Sequence, residues 1–318
     1  MTDKNRFLKS NVVAVLHNPK SGARHAVELI DKLLVELRSR GWDVESFDDL
    51  DSFQQRVELL FSTEKLRAVI AAGGDGTASA VATRIHHEVP LRVFPLGTEN
   101  LLAKHFRFNS DPTATANAIE QMETHKIDAA TANGKLFLIM AGIGFDAEVV
   151  RRIHTNRKGH IRRWHYWWHI VSSVLSYKFP KLRVLPIAAT NSTELPDESK
   201  HLSDAEVAWL FIQNLPCYAD NLAIAKHAVD DDGLLNVSSF QHGGLISSLK
   251  YLYALQREKH SQLDDFQTTE LSNFRIEEVA GRSHQTNTTA ASYQIDGDWG
   301  GHLPVDIRVL PKRVRIIL

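Results

Sequence analysis

The apolar run Ala68 to Ala72 passes directly into Gly73-Gly74-Asp75-Gly76-Thr77, which opens a segment carrying Ala80, Val81 and Ile85 at helical spacing. A strand that ends on a glycine loop and resumes as a helix is a βα turn, and it commits this part of the chain to an α/β plan. The neighbouring residues repeat the alternation. Val12 to Leu16 reads as a first strand. From Ala26 the apolar positions Leu29, Ile30, Leu33, Leu34 and Leu37 recur at helical period, and Gly41 sits where a left-handed C-terminal cap would fall. Val44 to Phe47, Arg67 to Ala72 and Leu91 to Pro95 read as further strands, with a helix over Gln55 to Phe61 between them. Asp111-Pro112 supplies an N-cap and first-turn proline for a helix running to Met122. Such alternation implies βαβ units and a mainly parallel sheet.

The texture changes near residue 128. Asp128 to Ala132, then Asn133-Gly134, then Leu136 to Met140 predict a β-hairpin, because Asn-Gly accepts the positive φ angles of a tight primed turn. Val184 to Ala189, Glu206 to Ile212, Leu234 to Phe240, Phe274 to Val279 and Tyr293 to Ile295 follow as extended runs with few helices between. The expectation is an α/β domain over residues 1–128 and a β-rich domain over 129–304, with 305–318 placed to return to the first. A chain of 318 residues with 43% hydrophobic content is long enough for two cores.

Composition removes several function classes. Lysine and arginine number 37 against 38 acids, so the net charge of -1 gives no global case for a nucleic-acid partner. Cys217 is the only cysteine, which excludes an intrachain disulfide and a thiol zinc site and suits the cytosol. No apolar run reaches the roughly 18 residues that a bilayer crossing needs, and Met1 to Arg6 does not resemble a signal peptide.

Three loops carry the chemistry. His17-Asn18-Pro19-Lys20-Ser21-Gly22 follows the first strand, where a βα turn offers N–H groups and a helix N-terminus to an anion, although a turn of this composition is more often only a turn. In Gly73 to Thr77 the glycines permit close approach to a phosphate, Thr77 adds a hydroxyl, and Asp75 can bind hydrated magnesium or accept a proton. The alternative is a strand-to-helix turn with Asp75 as a cap. Pro95-Leu96-Gly97-Thr98-Glu99-Asn100 repeats the architecture one strand later. Loops at successive strand ends of an open α/β sheet converge on the crevice where such sheets bind ligands. The pattern is neither a Walker loop nor the dinucleotide fingerprint.

In this order, Asn18-Pro19-x-Ser21-Gly22, Gly73-Gly74-Asp75-Gly76-Thr77 and Pro95-Leu96-Gly97-Thr98 resemble the diacylglycerol-kinase catalytic-domain family, which is related to sphingosine kinases and NAD kinases. Gly142-Ile143-Gly144-Phe145-Asp146, Asn214, Ala223-Ile224-Ala225, Asp231-Asp232-Gly233-Leu234-Leu235 and Ile295-Asp296-Gly297-Asp298 extend the likeness over nearly the whole chain. The resemblance implies a Rossmann-like three-layer domain whose Gly-Gly-Asp-Gly-Thr loop holds ATP, joined to a sandwich-like lipid-substrate domain. Asn18, Pro19, Lys20, Ser21, Gly22, Gly73, Gly74, Asp75, Gly76, Thr77, Gly97 and Thr98 would hold the nucleotide. A structural Mg2+ would lie on Asp232 with the carbonyls of Val229 and Leu234, an oxygen set that suits it.

Two departures stand out. Glu99 and Leu101 replace the residues usual after the third Gly-Thr, and Asp298 stands where the family's proposed base is a glutamate, one methylene longer. Asp298, or Asp75 in its place, would be the catalytic carboxylate, and the competing reading makes Asp296-Gly297-Asp298 a plain β-turn. Arg151 to Arg183 holds nine lysines and arginines, four histidines and no acid, interleaved with Trp164, Tyr166, Trp167, Trp168 and Tyr177. Such a segment suits anionic headgroups, the alternatives being core packing and single-stranded nucleic acid. The expected function is a cytoplasmic ATP- and magnesium-dependent lipid kinase at the inner membrane face. An NAD-kinase-like enzyme and a non-catalytic nucleotide-binding regulator are the competing readings, and the oligomeric state stays open, a homodimer included.

Overall fold

The computed structural model describes residues 3–17, 24–155, 177–187, 206–216, 222, 224–279 and 290–318. The chain divides into two compact units, Met1–Ala129 with Pro311–Leu318, and Ala130–Leu310.

The first unit runs α1 (Asp3–Lys9), β1 (Val12–His17), α2 (Arg24–Ser39), β2 (Asp43–Phe47), α3 (Leu50–Ser62), β3 (Leu66–Gly73), α4 (Asp75–Arg84), β4 (Pro90–Pro95), α5 (Leu101–His105) and α6 (Pro112–Gln121). Its strands are parallel in the order β2-β1-β3-β4. Every residue of β3 and β4 is buried, so neither alternates polar with apolar, as expected of parallel strands covered on both faces. On one face Val13, Val15, Ala68 and Ile70 pack with Leu33 and Leu37 of α2 and Ile119 of α6. Helices α3 and α4 also pack on this sheet, and α3 buries Phe53, Val57 and Leu60.

The punctuation expected from sequence is in place. Gly41 adopts φ +79, with its N–H donating to the Arg38 carbonyl. The Asp111 carboxylate accepts from the Thr113 N–H at 3.0 Å, with Pro112 in the first turn. The chain's last strand, β15 (Val305–Ile317), completes the sheet by parallel pairing of Arg315 and Ile316 with Pro90 and Leu91 of β4. Arg92 secures it. Its guanidinium donates to the Ile317 carbonyl at 2.9 Å and lies 3.6 Å from the Phe108 ring centroid, and burial pulls its pKa down to about 10. It remains a cation at neutral pH.

The second unit is entered by β5 (Thr124–Ala132) and continues through β6 (Lys135–Phe137), β7 (Met140–Gly144), α7 (Phe145–Thr155), β8 (Leu182–Pro186), β9 (Trp209–Gln213), β10 (Leu235–Phe240), α8 (Leu245–Gln256), β11 (Phe266–Leu271), β12 (Asn273–Glu278), β13 (Ser292–Ile295) and β14 (Asp298–His302). An antiparallel sheet in the order β11-β10-β9-β7-β13-β14 faces a second layer in which β12 pairs with β8 and with the start of β15. Ile143, Leu210, Ile212 and Val237 of the first layer pack with Val184, Phe274, Ile276 and Ile307 of the second. This is a sandwich core, so the two-domain plan of a parallel α/β unit and a β-sandwich holds.

Asn133 and Gly134 take φ +48 and +81 and close the β5–β6 hairpin, as their dipeptide predicts. The run expected over Leu136 to Met140 divides into β6 and β7, because the N–H groups of Leu138, Ile139 and Met140 turn to the Asp296 carboxylate instead of a strand partner. Sequence reasoning placed no element over α1, α7, α8, β11 or β14.

Candidate functional site

The glycine loop and the third loop meet at the ends of β3 and β4. The Leu96 N–H donates to the Gly73 carbonyl at 2.9 Å, which carries the sheet's pairing one step into the loops. A Cβ on Gly97 would lie 2.6 Å from the Gly74 Cα, and one on Gly73 would lie 2.3 Å from the Thr77 Oγ1. The sequence reading gave these glycines to ligand approach. Packing of loop on loop at Gly97, and of Thr77 over Gly73, already requires glycine at these two positions, while a Cβ on Gly74 would be held tightly at 3.3 Å from the Gly97 Cα.

Asp75 ties the two loops together. Its carboxylate accepts from the N–H groups of Leu101 at 2.9 Å and Leu102 at 3.0 Å, at the start of α5. Burial raises its pKa above the ordinary aspartate value, and the two backbone donors act against that rise. The cap anticipated for Asp75 therefore exists, on the helix of the other loop rather than on its own. Asn100, which the sequence reading passed over, completes the turn: at φ +50 its side chain accepts from the Gly97 N–H at 2.9 Å and donates to the Gly97 carbonyl at 2.8 Å. The signal was an asparagine, tolerant of left-handed backbone, directly before an apolar helical run. Gly76, Thr98 and Glu99 form an exposed rim, with Glu99 3.4 Å from Lys104.

Gly97→Ala tests this construction. The added methyl would also meet the Asn100 Oδ1 at 2.7 Å, so a loss of about 1–3 kcal/mol of stability is expected. An unchanged denaturant midpoint would show that the loops part without cost.

Asn18, Pro19, Lys20, Ser21 and Gly22 lie outside the described residues. His17, which precedes them in register with Ala72 of β3, has a buried Nδ1 with no hydrogen-bond partner among the described residues.

The remaining candidates belong to the second unit. Asp296 and Gly297 take φ +47 and +85 and join β13 to β14, so the triplet is a hairpin turn. Its two aspartates have different surroundings. The Asp296 carboxylate accepts three backbone N–H bonds of 2.9 to 3.0 Å from Leu138, Ile139 and Met140. Asp298, the first residue of β14, is exposed. Gln294 supports the turn by accepting from the Gly297 N–H at 2.8 Å, and it donates to Asp146 at 2.9 Å. Asp146 in turn fills the space beside Gly142, where a Cβ would come within 1.9 Å of its Oδ2. Gln213 was also missed: its side chain is fully buried, and neither amide atom has a hydrogen-bond partner among the described residues. The Asn214 amide donates to the Leu138 carbonyl at 2.7 Å. In the loop before β10 the Asp232 Oδ1 accepts from the Leu234 N–H at 2.9 Å, Gly233 takes φ +79, and Val229 is 46% exposed.

Residues 12–132 match the family described as the diacylglycerol kinase catalytic domain, and residues 139–318 match the YegS C-terminal NAD kinase beta sandwich-like domain. A diacylglycerol kinase of Mycobacterium tuberculosis is 27% identical over 313 residues, covering 96% of this chain and 94% of its own. A diacylglycerol kinase of Staphylococcus carnosus is 20% identical, covering 95% and 93%. The crystal structure of a diacylglycerol kinase from Bacillus anthracis superposes with a TM-score of 0.64 at 15% identity over 97% of this chain and 96% of that one, a likeness of fold. With the two domain matches in tandem and the second alone spanning more than half of the sequence, the chain belongs to the family of diacylglycerol kinase catalytic-domain, YegS-like lipid kinases.

Proposed function

We propose that the protein transfers the γ-phosphoryl group of ATP to the hydroxyl of a lipid, diacylglycerol or a close relative. The observation that carries this reading is the Asp75 clamp: two loops at neighbouring ends of a parallel sheet, where ligands of such sheets bind, are held together by a partly buried carboxylate. The phosphates would lie against the exposed rim of Gly76 and Thr98, making this a Rossmann-like nucleotide loop, and Asn18 to Gly22 are assigned to the same ligand on their sequence alone. Family membership and the curated diacylglycerol kinases, alike over nearly their whole length, support the substrate class.

In the proposed reaction the chain positions and the substrates react. Backbone N–H groups of the loops orient the phosphates and balance their charge, which is most of what phosphoryl transfer asks of a protein. The exposed Asp298 carboxylate accepts the proton of the attacking hydroxyl. Bound magnesium would neutralise charge on the transferring phosphoryl group. A second, structural Mg2+ is proposed on Asp232 with the carbonyls of Val229 and Leu234. The exposed loop and its all-oxygen donors fit a hydrated ion, with the Asp232 carboxylate oriented by the Leu234 N–H at its Oδ1.

The protein is proposed to work in the cytoplasm at the inner membrane face. Among the described residues no helix is long and apolar enough to cross a membrane. The tryptophans of Arg151 to Arg183, with Arg157, Lys158, Arg162 and Arg163, lie outside the described residues. At its ends, Arg151 pairs with Glu148 at 2.8 Å, and the rings of Tyr177 and Phe179 pack 6.0 and 5.4 Å from that of Phe145. Those two aromatics favour the packing alternative locally, and the headgroup role is proposed for Arg157, Lys158, Arg162 and Arg163.

The test is incubation of the full chain with labelled ATP and a panel of diacylglycerol, monoacylglycerol, sphingoid bases, polyprenols and NAD. Labelled lipid is the expected product. Label on NAD alone, or ATP binding without any product, would sink the proposal in favour of a soluble-substrate kinase or a nucleotide-binding regulator. For the structural ion, Asp232→Ala should remove the stabilisation that magnesium gives through this site, about 2.7 kcal/mol when the ion is at a hundred times its Kd, and so shrink the magnesium-dependent rise in Tm. Equal responses in variant and parent would remove the site.

A further inference from the structure

Helix α8 is apolar on two opposite faces. The inner face buries Ser248, Tyr251, Ala254 and Leu255. Tyr251 lies 4.4 Å from the Phe240 ring and 5.8 Å from that of Trp209, donates to Asp265 at 2.7 Å, and accepts from the His242 N–H at 3.2 Å. The helix is thus fixed in orientation. On its outer face Leu245, Leu249 and Tyr253 recur every four residues with Ile246 beside them, exposed by 42%, 57%, 61% and 85%. They form one stripe about 12 Å long. Single exposed leucines are ordinary, whereas four large apolar side chains on one fixed stripe mark a contact surface.

We propose that this stripe is a docking surface for a bilayer rich in anionic lipid. From His242 to Lys259 the chain carries Lys250, Arg257 and Lys259 against a single acid, Glu258; Lys250 pairs with Asp265 at 3.0 Å and Glu258 with Lys226 at 2.5 Å, so Arg257 and Lys259 give the border its positive charge. The Arg257 guanidinium lies 5.5 Å from the Tyr253 ring centroid, a cation beside an aromatic at the stripe's edge, where headgroups would meet the helix. A second copy is the less favoured occupant, because a twofold contact sets this basic border against itself. The surface is separate from Arg151 to Arg183, and the proposal does not depend on which lipid is phosphorylated.

The full chain is sedimented with phosphatidylcholine vesicles, with and without phosphatidylglycerol. Ile246→Glu with Leu249→Glu should weaken binding about tenfold or more on both kinds of vesicle. Arg257→Gln should weaken it only where phosphatidylglycerol is present. Because these side chains are exposed, the Tm and ATP-analogue binding should match the parent, and Ile246→Ser with Leu249→Ser provides the same test without added charge. Vesicle binding that both double variants retain, or that the parent lacks, overturns the proposal. A parental dimer in analytical ultracentrifugation that the double variants dissociate, with vesicle binding intact, assigns the stripe to a second copy instead. No arm involves phosphoryl transfer, so failure here is distinct from failure of the kinase reading.

Discussion

Asp75→Ala is expected to lower turnover by at least about two orders of magnitude while the first unit stays folded. The substitution removes the carboxylate that accepts from the Leu101 and Leu102 N–H groups, so α5 loses its cap and the third loop its tether to the glycine loop. The stability cost should be that of a lost cap, about 1 kcal/mol. A large kinetic loss beside a small shift in Tm is therefore the expected pattern. Asp75→Asn separates the contributions, since its amide oxygen can still accept one of the two bonds without the charge. In the parent, burial raises the Asp75 pKa, so activity on the acid side should begin to fall at a pH above that expected for an ordinary aspartate. Full activity in a well-folded Asp75→Ala protein would remove the clamp from the mechanism.

The second large effect is expected at Asp298. If this exposed carboxylate takes the hydroxyl proton, Asp298→Asn should keep the hairpin, because the Asp296 carboxylate and Gln294 hold the turn. Turnover should then fall about 100-fold or more with little change in the KM for ATP, the pattern of an interaction made in the transition state. Asp298→Glu restores the longer side chain usual in the family and should retain or raise activity. Lipid phosphorylation by Asp298→Asn at the parent's rate would eliminate Asp298 as the base and leave Asp75 as the candidate.

Much of the α/β half was legible because its determinants are local. The period of Leu29 to Leu37, Gly41 and the Asp111-Pro112 pair each specify a conformation within a turn or two of chain. So does Asn133-Gly134. Helix α8 was not legible, since a helix with apolar side chains on both faces has no polar face to give it a period. The site was half legible. Gly73 to Thr77 announced a strand-to-helix loop, but the reason for Gly74 and Gly97 is their contact with each other, which only the fold provides. Asp75 could be read as a cap or a ligand from its neighbours, yet the helix it caps belongs to another loop. Likewise no local pattern separates Asp296 from Asp298. The three N–H groups that distinguish them come from Leu138, Ile139 and Met140, far away in sequence.

Strand β15 has a consequence for the order in which the protein can be made. The first unit's sheet needs Arg315 and Ile316 beside β4, and Ile316 and Ile317 are fully buried there. On the ribosome, residues 1–129 emerge long before this strand exists, so the β4 edge that receives it must wait, unpaired, while the whole of the second unit is translated. The second unit closes its own sandwich earlier, needing nothing beyond Leu310. Vectorial synthesis thus favours a folding order opposite to the order of the sequence, in which the C-terminal sandwich matures first and the N-terminal unit, with its three loops, is finished last.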